Sequence, residues 1–211
     1  KVIALSTDKA CNPINLYGAT KLASDKLFVS ANNLGGRKET IFSLVRYGNV
    51  LNSRGSVIPF FKKLISENKK SLPLTNEKMT RFFIKVEDGV KFVINSFLRM
   101  RGGEIFVPKL PTIYIKDIIK ALNKNYKIVG IRPGEKLHEV LCSREESHLT
   151  LEFKDHYIIQ PSYWEKNNKN YKTNKMGEKG KNVLSTFEYS SLLNEEVLSL
   201  NQIKNLLKKI K

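Results

Sequence analysis

Residues 6–21 read STDKACNPINLYGATK, and they follow the short apolar run KVIAL at residues 1–5. An uninterrupted apolar run of this length is typical of a strand buried on both faces, as in a parallel sheet covered by helices. Asn12 and Pro13 predict a helix start, and the spacing of Leu16, Ala19, Ala23, Leu27 and Val29 predicts a long helix that Gly35 and Gly36 end. The segment therefore predicts a strand, a loop and a helix.

The rest of the chain alternates between short strands and helices. Apolar runs predict strands at residues 40–47, 72–75, 104–108 and 127–131. Helical spacing predicts helices at residues 57–68 (capped by Ser56), 85–100, 115–124, 135–141 and 200–211. Residues 165–182 are polar and without periodicity, which predicts a mobile surface segment. This alternation predicts an α/β fold with a mainly parallel sheet.

Composition narrows the class of protein. The chain has 211 residues, 41% of them hydrophobic, and it holds no apolar run of the roughly 20 residues that a membrane span needs. We therefore expect a cytoplasmic protein. Cys11 and Cys142 stand in no CxxC pattern, and His138, His148 and His156 have no metal-ligand spacing, so we expect neither a disulfide framework nor a metal site.

The net charge of +17 raises the hypothesis of nucleic-acid binding. The lysines, however, are spread along the whole chain rather than gathered into one stripe. Attraction of a small anion such as a nucleotide, or solubility alone, explains the charge better. A non-enzymatic basic protein that binds nucleotides or nucleic acid stays an alternative.

The opening segment carries side chains suited to catalysis. Open α/β sheets bind their ligands at the carboxyl ends of the strands, which is where residues 6–9 stand. Tyr17 and Lys21 share a helix face, because they are four residues apart. An ammonium beside a phenol favours the phenolate, so Tyr17 is a candidate general base. The alternatives are an ordinary surface pair for Tyr17 and Lys21, and a solvated loop ion pair for Asp8 and Lys9.

These motifs resemble a known family. The segment STDKA…NLYGATK resembles the catalytic segment of the extended short-chain dehydrogenase/reductase family. Thr7-Asp8-Lys9, together with LVRYGNVLNSRGSVIPFF at residues 44–61, MTRFFI at 79–84 and GIRPGEKLHE at 130–139, resembles within it the inverting UDP-N-acetylglucosamine 4,6-dehydratases of pseudaminic acid biosynthesis.

The resemblance implies an architecture and a reaction. Residues 1–55 would be the C-terminal part of an NADP-binding, Rossmann-like doubly wound domain. Residues 56–160 would form a substrate-binding lobe interleaved with the remaining sheet elements, and residues 161–211 a polar, partly mobile segment. Such enzymes oxidise a UDP-sugar at C4, eliminate water across C5 and C6 and return the hydride to C6. They assemble as homo-oligomers.

The resemblance also implies roles for individual residues. Tyr17 would take the C4 hydroxyl proton, Lys21 would orient the nicotinamide ribose, and Thr7 would hydrogen-bond the C4 oxygen. Asp8 and Lys9 would act at C6 and C5, with the assignment between the two carbons open. The expected cofactor-binding residues are Ser6, Tyr17, Lys21, Tyr47 and Gly48. The expected substrate-binding residues are Asn49, Arg81, Arg132 and Glu135, followed with less support by Arg54, Lys136 and His138.

One expected motif is missing from the sequence. No Gly-rich phosphate-binding turn of the GxGxxG kind follows a strand. The resemblance therefore implies that the first half of the cofactor domain lies upstream, and that residues 1–211 alone are inactive and incompletely folded. Without the upstream strands, the KVIAL strand would expose unpaired backbone and an apolar helix face. A sugar-nucleotide epimerase of the same family stays an alternative, because it would share Tyr17 and Lys21.

Overall fold

The chain folds as two units, each assembled from three separate stretches of sequence. The computed structural model describes residues 1–34, 40–162 and 170–209. Unit 1 comprises Lys1–Tyr47, Glu87–Lys109 and Val140–Ser190, and unit 2 comprises Gly48–Val86, Leu110–Glu139 and Ser191–Lys211. Residues 48–55, which the sequence analysis grouped with the cofactor domain, therefore belong to unit 2.

Short elements make up both units. In the described part of the chain, the α-helices are α1 (Leu16–Ser30), α2 (Val57–Ser66), α3 (Val86–Arg99), α4 (Ile115–Ala121) and α5 (Leu200–Lys208). The strands are β1 (Val2–Thr7), β2 (Phe42–Tyr47), β3 (Asn49–Val50), β4 (Ser71–Leu74), β5 (Thr80–Ile84), β6 (Ile105–Pro108), β7 (Thr112–Tyr114), β8 (Asn125–Ile128), β9 (Val140–Cys142), β10 (Thr150–Glu152), β11 (His156–Ile159), β12 (Lys181–Asn182) and β13 (Tyr189–Ser190).

Unit 1 is built on a six-stranded sheet in the order β1-β2-β6-β11-β10-β12. The first three strands are parallel, and the other neighbours pair antiparallel. The register of β1 on β2 runs from Val2 opposite Phe42 to Thr7 opposite Tyr47. The parallel strands and their helices confirm the predicted α/β class.

The first strand, which the apolar run predicts to be buried on both faces when earlier strands lie beside it, is at the exposed edge of the described sheet. Among the described residues β1 pairs only with β2, so it is an edge strand, and the side chains of Val2 and Leu5 are exposed. Apolar composition alone does not distinguish an edge strand from a central one, because both can be short continuous runs of apolar residues.

Helix α1 begins later than the sequence predicts. The side chain of Asn15 caps it, with Oδ1 accepting from the Gly18 amide at 2.8 Å, whereas Asn12 has a φ of 48° in the loop before it. The predicted apolar face is the exposed one: Leu16 and Leu27 face solvent, and α1 buries Gly18 and Asp25 instead. The helix ends at Ser30, and the predicted stop at Gly35 and Gly36 lies outside the described residues.

The polar stretch after residue 160 is only partly a surface segment. Residues 163–169 lie outside the described residues. Tyr171 is buried, and its hydroxyl donates to the Gly102 carbonyl at 2.7 Å. Farther along, β12 pairs with β10. Residues 170–182 are thus part of the packed structure of unit 1. The buried Tyr171 attaches them there, which the polar composition of the segment does not indicate.

Unit 2 holds a three-stranded sheet, β3-β5-β7, and a two-stranded parallel sheet, β4-β8. Its helices α2, α4 and α5 pack around one apolar core that includes Ile58, Phe61, Ile118, Ile119 and Ile203. The predicted helix at residues 135–141 is wrong. Residues 136–139 have no regular structure, and β9 starts at Val140.

His156 is an unusual member of the unit 1 core. It is fully buried, its ring stacks on Phe153 with centroids 4.6 Å apart, and the Phe92 and Phe106 rings lie within 6.2 Å. Its Nδ1 hydrogen-bonds Asp155 Oδ1 at 2.7 Å, while Nε2 is buried without a partner among the described residues. Burial lowers the pKa of His156 below 6.5, although Asp155 opposes the shift.

Acidification should therefore weaken unit 1 through His156. Because its pKa is lower in the folded chain than in the unfolded one, the folded state binds fewer protons, and the free energy of unfolding falls as pH drops below about 6.5. The charged groups around the ring are Asp155, Arg99 and Glu178. The pKa values of both carboxyls are lowered, so they weaken the fold only at still lower pH. Denaturant unfolding at a series of pH values measures the effect.

Substitution isolates the contribution of the buried ring. His156→Phe should flatten the pH dependence between the ordinary histidine and carboxyl ranges, whereas His148→Phe at an exposed position should leave it unchanged. An unchanged slope in His156→Phe would contradict the assignment.

Candidate active site

The carboxyl end of β1 runs into a hydrogen-bonded cluster. Asp8, Lys9 and the next residue form a 3₁₀ helix directly after Thr7. Asp8 is completely buried, and its Oδ1 accepts from Thr7 Oγ1 at 2.9 Å and from Lys9 Nζ at 2.9 Å. Its Oδ2 is buried without a partner in the described chain, while the Lys9 side chain is 37% exposed. In the described chain the acid of this pair is therefore shielded from water, whereas its base is partly exposed.

Tyr17 and Lys21 stand at the start of α1, one turn apart. Tyr17 is half-exposed, and Lys21 is partly buried. Between them lies Gly18, where a Cβ atom would come within 2.5 Å of the Lys9 carbonyl oxygen and 2.9 Å of the Pro13 Cβ. Only glycine lets α1 approach the 3₁₀ helix this closely. The structure thus brings the Tyr-Lys helix against the backbone of the Asp-Lys turn.

Two of the predicted cofactor residues lie on the same edge of unit 1. Ser6 is buried on β1, and Tyr47 is the residue opposite Thr7 at the end of β2. Burial raises the pKa of Tyr47, which keeps its phenol neutral. Gly48 belongs to unit 2, where a Cβ atom would lie 2.6 Å from the Phe82 Cβ, so this glycine permits close strand packing.

A buried arginine on β2, which the sequence motifs do not indicate as a site residue, bonds to groups near this cluster. Arg46 is 1% exposed. Its Nη1 donates to the Leu141 carbonyl at 3.0 Å and to Glu146 Oε2 at 3.1 Å, and its Nη2 donates to Asp25 Oδ2 at 3.3 Å. Residues 144–149 form a 3₁₀ helix, in which Glu146 completes a capping box with Ser143.

The network contains one cation, Arg46, and two carboxyl groups, those of Glu146 and Asp25. Although burial opposes both shifts, the contact between them raises the pKa of Arg46 and lowers that of Glu146, so each stays charged. Burial raises the pKa of Asp25, and Arg46 offsets this only in part. An arginine inside an otherwise apolar strand, and an Asp one turn beyond Lys21, were the signals in the sequence.

Unit 2 contains a cavity of about 590 Å³. This size lies in the range of small-molecule sites. Of the predicted substrate residues, Asn49, Arg81, Arg132 and Glu135 all line it. The sequence thus predicted a set of residues that the structure brings together.

Arg132 and Glu135 form one wall of the cavity. The Glu135 carboxylate accepts from Thr75 Oγ1 at 3.2 Å and from the Arg132 amide at 3.3 Å. Gly134 lies in the turn between them with a φ of 77°. The Arg132 side chain is exposed and makes no hydrogen bond with described residues, so its guanidinium is available to an anion.

Arg81 is placed differently. It is 8% exposed, and its guanidinium donates to the carbonyls of Thr80, Lys136 and Leu137. It also pairs with Glu139 at 3.6 Å. Most of its donors hold residues 136–139 in place, so its role as a diphosphate contact stays a prediction.

The three less supported residues also differ from one another. Arg54 is exposed, and Lys136 lies 4.0 Å from a Glu139 carboxylate oxygen. His138 Nδ1 shares a 2.8 Å hydrogen bond with Thr80 Oγ1, and burial together with Arg81 lowers its pKa. In the described residues no group of His, Cys, Asp or Glu could hold a metal ion, and Cys11 and Cys142 are buried and form no disulfide there.

Comparison with known proteins identifies the family. Residues 1–161 match the family described as polysaccharide biosynthesis protein. The chain belongs to the polysaccharide biosynthesis protein family. Across the described residues, no helix is long and apolar enough to cross a membrane.

Individual relatives show how close the similarity is. The chain is 61% identical over 195 residues to the inverting UDP-N-acetylglucosamine 4,6-dehydratase of Campylobacter jejuni, a match that covers 90% of this chain and 58% of that protein. It is 38% identical over 213 residues to the UDP-glucose 4-epimerase of Rickettsia bellii, covering 98% of this chain and 61% of that one. The resemblance drawn from the motifs is confirmed.

A solved structure agrees with the fold. The X-ray structure of Pen from Bacillus thuringiensis has a TM-score of 0.82 and 31% identity, and the match covers 99% of this chain and 62% of that one. The chain thus spans about three fifths of the length of these three relatives.

A side chain at position 18 should disturb the contact between α1 and the turn of Asp8 and Lys9. Gly18→Ala would normally stabilise a helix, but its methyl group would meet the Lys9 carbonyl, so we expect a loss of ~1–3 kcal/mol in the free energy of unfolding. Denaturant unfolding measures it. Thr20→Ala, at an exposed position of α1, is the control and should change stability by less than about 0.5 kcal/mol. A Gly18→Ala protein as stable as the wild type would contradict the close approach.

Proposed function

We propose that the chain is the catalytic and substrate-binding part of an NADP-dependent UDP-N-acetylglucosamine 4,6-dehydratase that inverts C5 and supplies a 4-keto-6-deoxy sugar for nonulosonic acid or surface glycan synthesis. The observation that carries the proposal is the buried Asp8 carboxylate held between Thr7 and Lys9 and packed beside the helix of Tyr17 and Lys21. The 61% identity to a protein of that name supports it.

Tyr17 and Lys21 would begin the reaction. Tyr17, with Lys21 one turn along the same face of α1, would take the proton of the C4 hydroxyl. Thr7 would hydrogen-bond the same oxygen. Once C4 is a ketone, the proton on C5 becomes acidic enough for an amine to remove.

The Asp8–Lys9 contact suits the elimination that follows. Elimination needs a base at C5 and an acid for the departing C6 hydroxyl. The 2.9 Å hydrogen bond from Lys9 Nζ to Asp8 Oδ1 is a direct path for one proton. Its transfer would turn an ammonium and a carboxylate into an amine and a carboxylic acid, which are the two groups required. In this scheme Lys9 acts at C5 and Asp8 at C6.

The residues present fit the nicotinamide end of a dinucleotide. Ser6, Tyr17, Lys21 and Tyr47 all belong to unit 1, where they would contact the nicotinamide ring and its ribose. A bound NADP would accept the C4 hydride and return it at C6. The sequence carries no Gly-rich turn for its phosphates, so the chain accounts for only part of the cofactor site.

Unit 2 would bind the nucleotide diphosphate. By sequence it carries 18 Lys and Arg against 7 Asp and Glu, an excess that attracts a dianion. In the cavity, Arg132 would grip the diphosphate and Glu135 would face the uridine ribose. Cytoplasmic location and homo-oligomeric assembly stay predictions from the sequence.

Removing the amine of Lys9 should stop dehydration. In the complete gene product that contains residues 1–211, we expect Lys9→Ala to lower the rate of 4-keto-6-deoxy sugar formation by ~10²–10⁴-fold while NADP stays bound. Product analysis by NMR and cofactor absorbance measure the two effects. Lys85→Ala, at an exposed position, is the control.

Three outcomes would speak against the proposal. Wild-type turnover of Lys9→Ala would contradict the role of Lys9. A wild-type protein that interconverts the C4 epimers and forms no deoxy sugar would favour the epimerase, and steeply salt-dependent binding of DNA or RNA would favour the basic binding protein.

Loss of the exposed guanidinium should weaken nucleotide binding. We expect Arg132→Ala to lower the affinity for UDP by ~10-fold or more, because a charged hydrogen bond to phosphate contributes about 1.5–3 kcal/mol. Isothermal titration calorimetry with UDP measures it. Lys127→Ala removes one positive charge from an exposed position of the same unit and should change affinity far less. Equal losses of UDP affinity in both variants would mean that Arg132 acts only through the net charge of unit 2.

A further inference from the structure

We propose that Arg46 is a positioning residue of this reaction, which fixes the helix of Tyr17 and Lys21 relative to the turn of Asp8 and Lys9. The inference rests on the proposed function for its catalytic meaning. The contacts by which Arg46 connects α1 with this turn, called the link below, do not depend on the identity of the substrate.

The first half of the link is on α1. Tyr17, Lys21 and Asp25 follow one another at intervals of four residues, so they share one face of the helix. Asp25 is 1% exposed, and Arg46 Nη2 lies 3.3 Å from its Oδ2. A buried carboxylate is costly without a cation, so this contact fixes α1 one turn beyond Lys21.

The second half reaches the turn. Arg46 Nη1 bonds Glu146 Oε2 at 3.1 Å, and the same oxygen accepts a 3.8 Å contact from Cys11 Sγ. Cys11 is the residue that closes the 3₁₀ helix containing Asp8 and Lys9, since its amide donates to the Asp8 carbonyl at 3.1 Å. One guanidinium thus connects α1 with the end of the catalytic turn.

The backbone of Arg46 strengthens the link. In the parallel pairing of β1 and β2, Arg46 is opposite Ser6, one residue before Thr7. Its planar guanidinium bonds two carboxylates and the Leu141 carbonyl at once. A lysine ammonium, as a compact point charge, lacks this fork geometry. Arg46→Lys keeps the charge and removes the bridge.

The closing experiment compares three variants of the complete gene product. Arg46→Lys and Asp25→Asn break the link. Arg99→Lys is the matched control, because Arg99 is also buried in unit 1 and pairs with two carboxylates, Asp155 and Glu178, away from the motif. The readouts are amide hydrogen exchange by mass spectrometry without substrate, and the ratio of oxidised sugar that retains its C6 hydroxyl to 6-deoxy product.

The expected result is specific to the link. Arg46→Lys and Asp25→Asn should speed exchange in both α1 and residues 8–11, lower kcat on the order of 10²-fold, and raise the ratio of undehydrated to dehydrated sugar. Arg99→Lys should speed exchange near α3 and leave the ratio at its wild-type value. Loss of folded molecules lowers both products equally, so the ratio separates positioning from stability.

Other results would overturn the inference. If residues 8–11 keep their wild-type exchange in Arg46→Lys, the link does not exist. If exchange rises but the product ratio is that of the wild type, Arg46 is structural only. A wild-type protein that forms no deoxy sugar refutes the proposed function instead, and the exchange data then decide the geometric link by themselves.

Discussion

The contact on which unit 1 depends is the ion pair of Arg46 with Glu146, extended by Asp25. Buried charged groups are costly to take out of water, and removing Arg46 would leave two carboxyls without their cation at a cost of about 3–5 kcal/mol. The network joins β2, α1 and the 3₁₀ helix at residues 144–149, which are distant in sequence. Local propensity decides that these elements form, and the network fixes how they fit together.

A few short contacts also hold the candidate site together. Gly18 supplies space and the Asp8 carboxylate supplies charge, and both act over a few ångströms between α1 and the turn after β1. In unit 2 the Glu135 carboxylate orders its own turn through Thr75 and the Arg132 amide. Each unit therefore presents a polar cluster held by backbone as well as side chains.

The sequence predicted the α/β class, the helices and five of the thirteen described strands, because helices and strands differ in the spacing of their apolar residues. It misplaced the start of α1, since Asn12 and Asn15 offer equally good caps and only the loop conformation decides between them. It identified the apolar residues of α1 but not the two residues that the described chain buries there, because Gly18 and Asp25 do not read as core residues. The cavity residues could be predicted from motifs, whereas Arg46 and Gly18 could not, because their importance arises from non-local contacts.

The division of the chain has a consequence for how the protein can be made. The polypeptide passes between the two units five times, after residues 47, 86, 109, 139 and 190. Neither unit is a continuous stretch, so no simple truncation yields one alone, and isolating either would need artificial joins between its three stretches. Folding must close several long loops before either core is complete, which favours slow, mutually dependent assembly over independent folding of two domains.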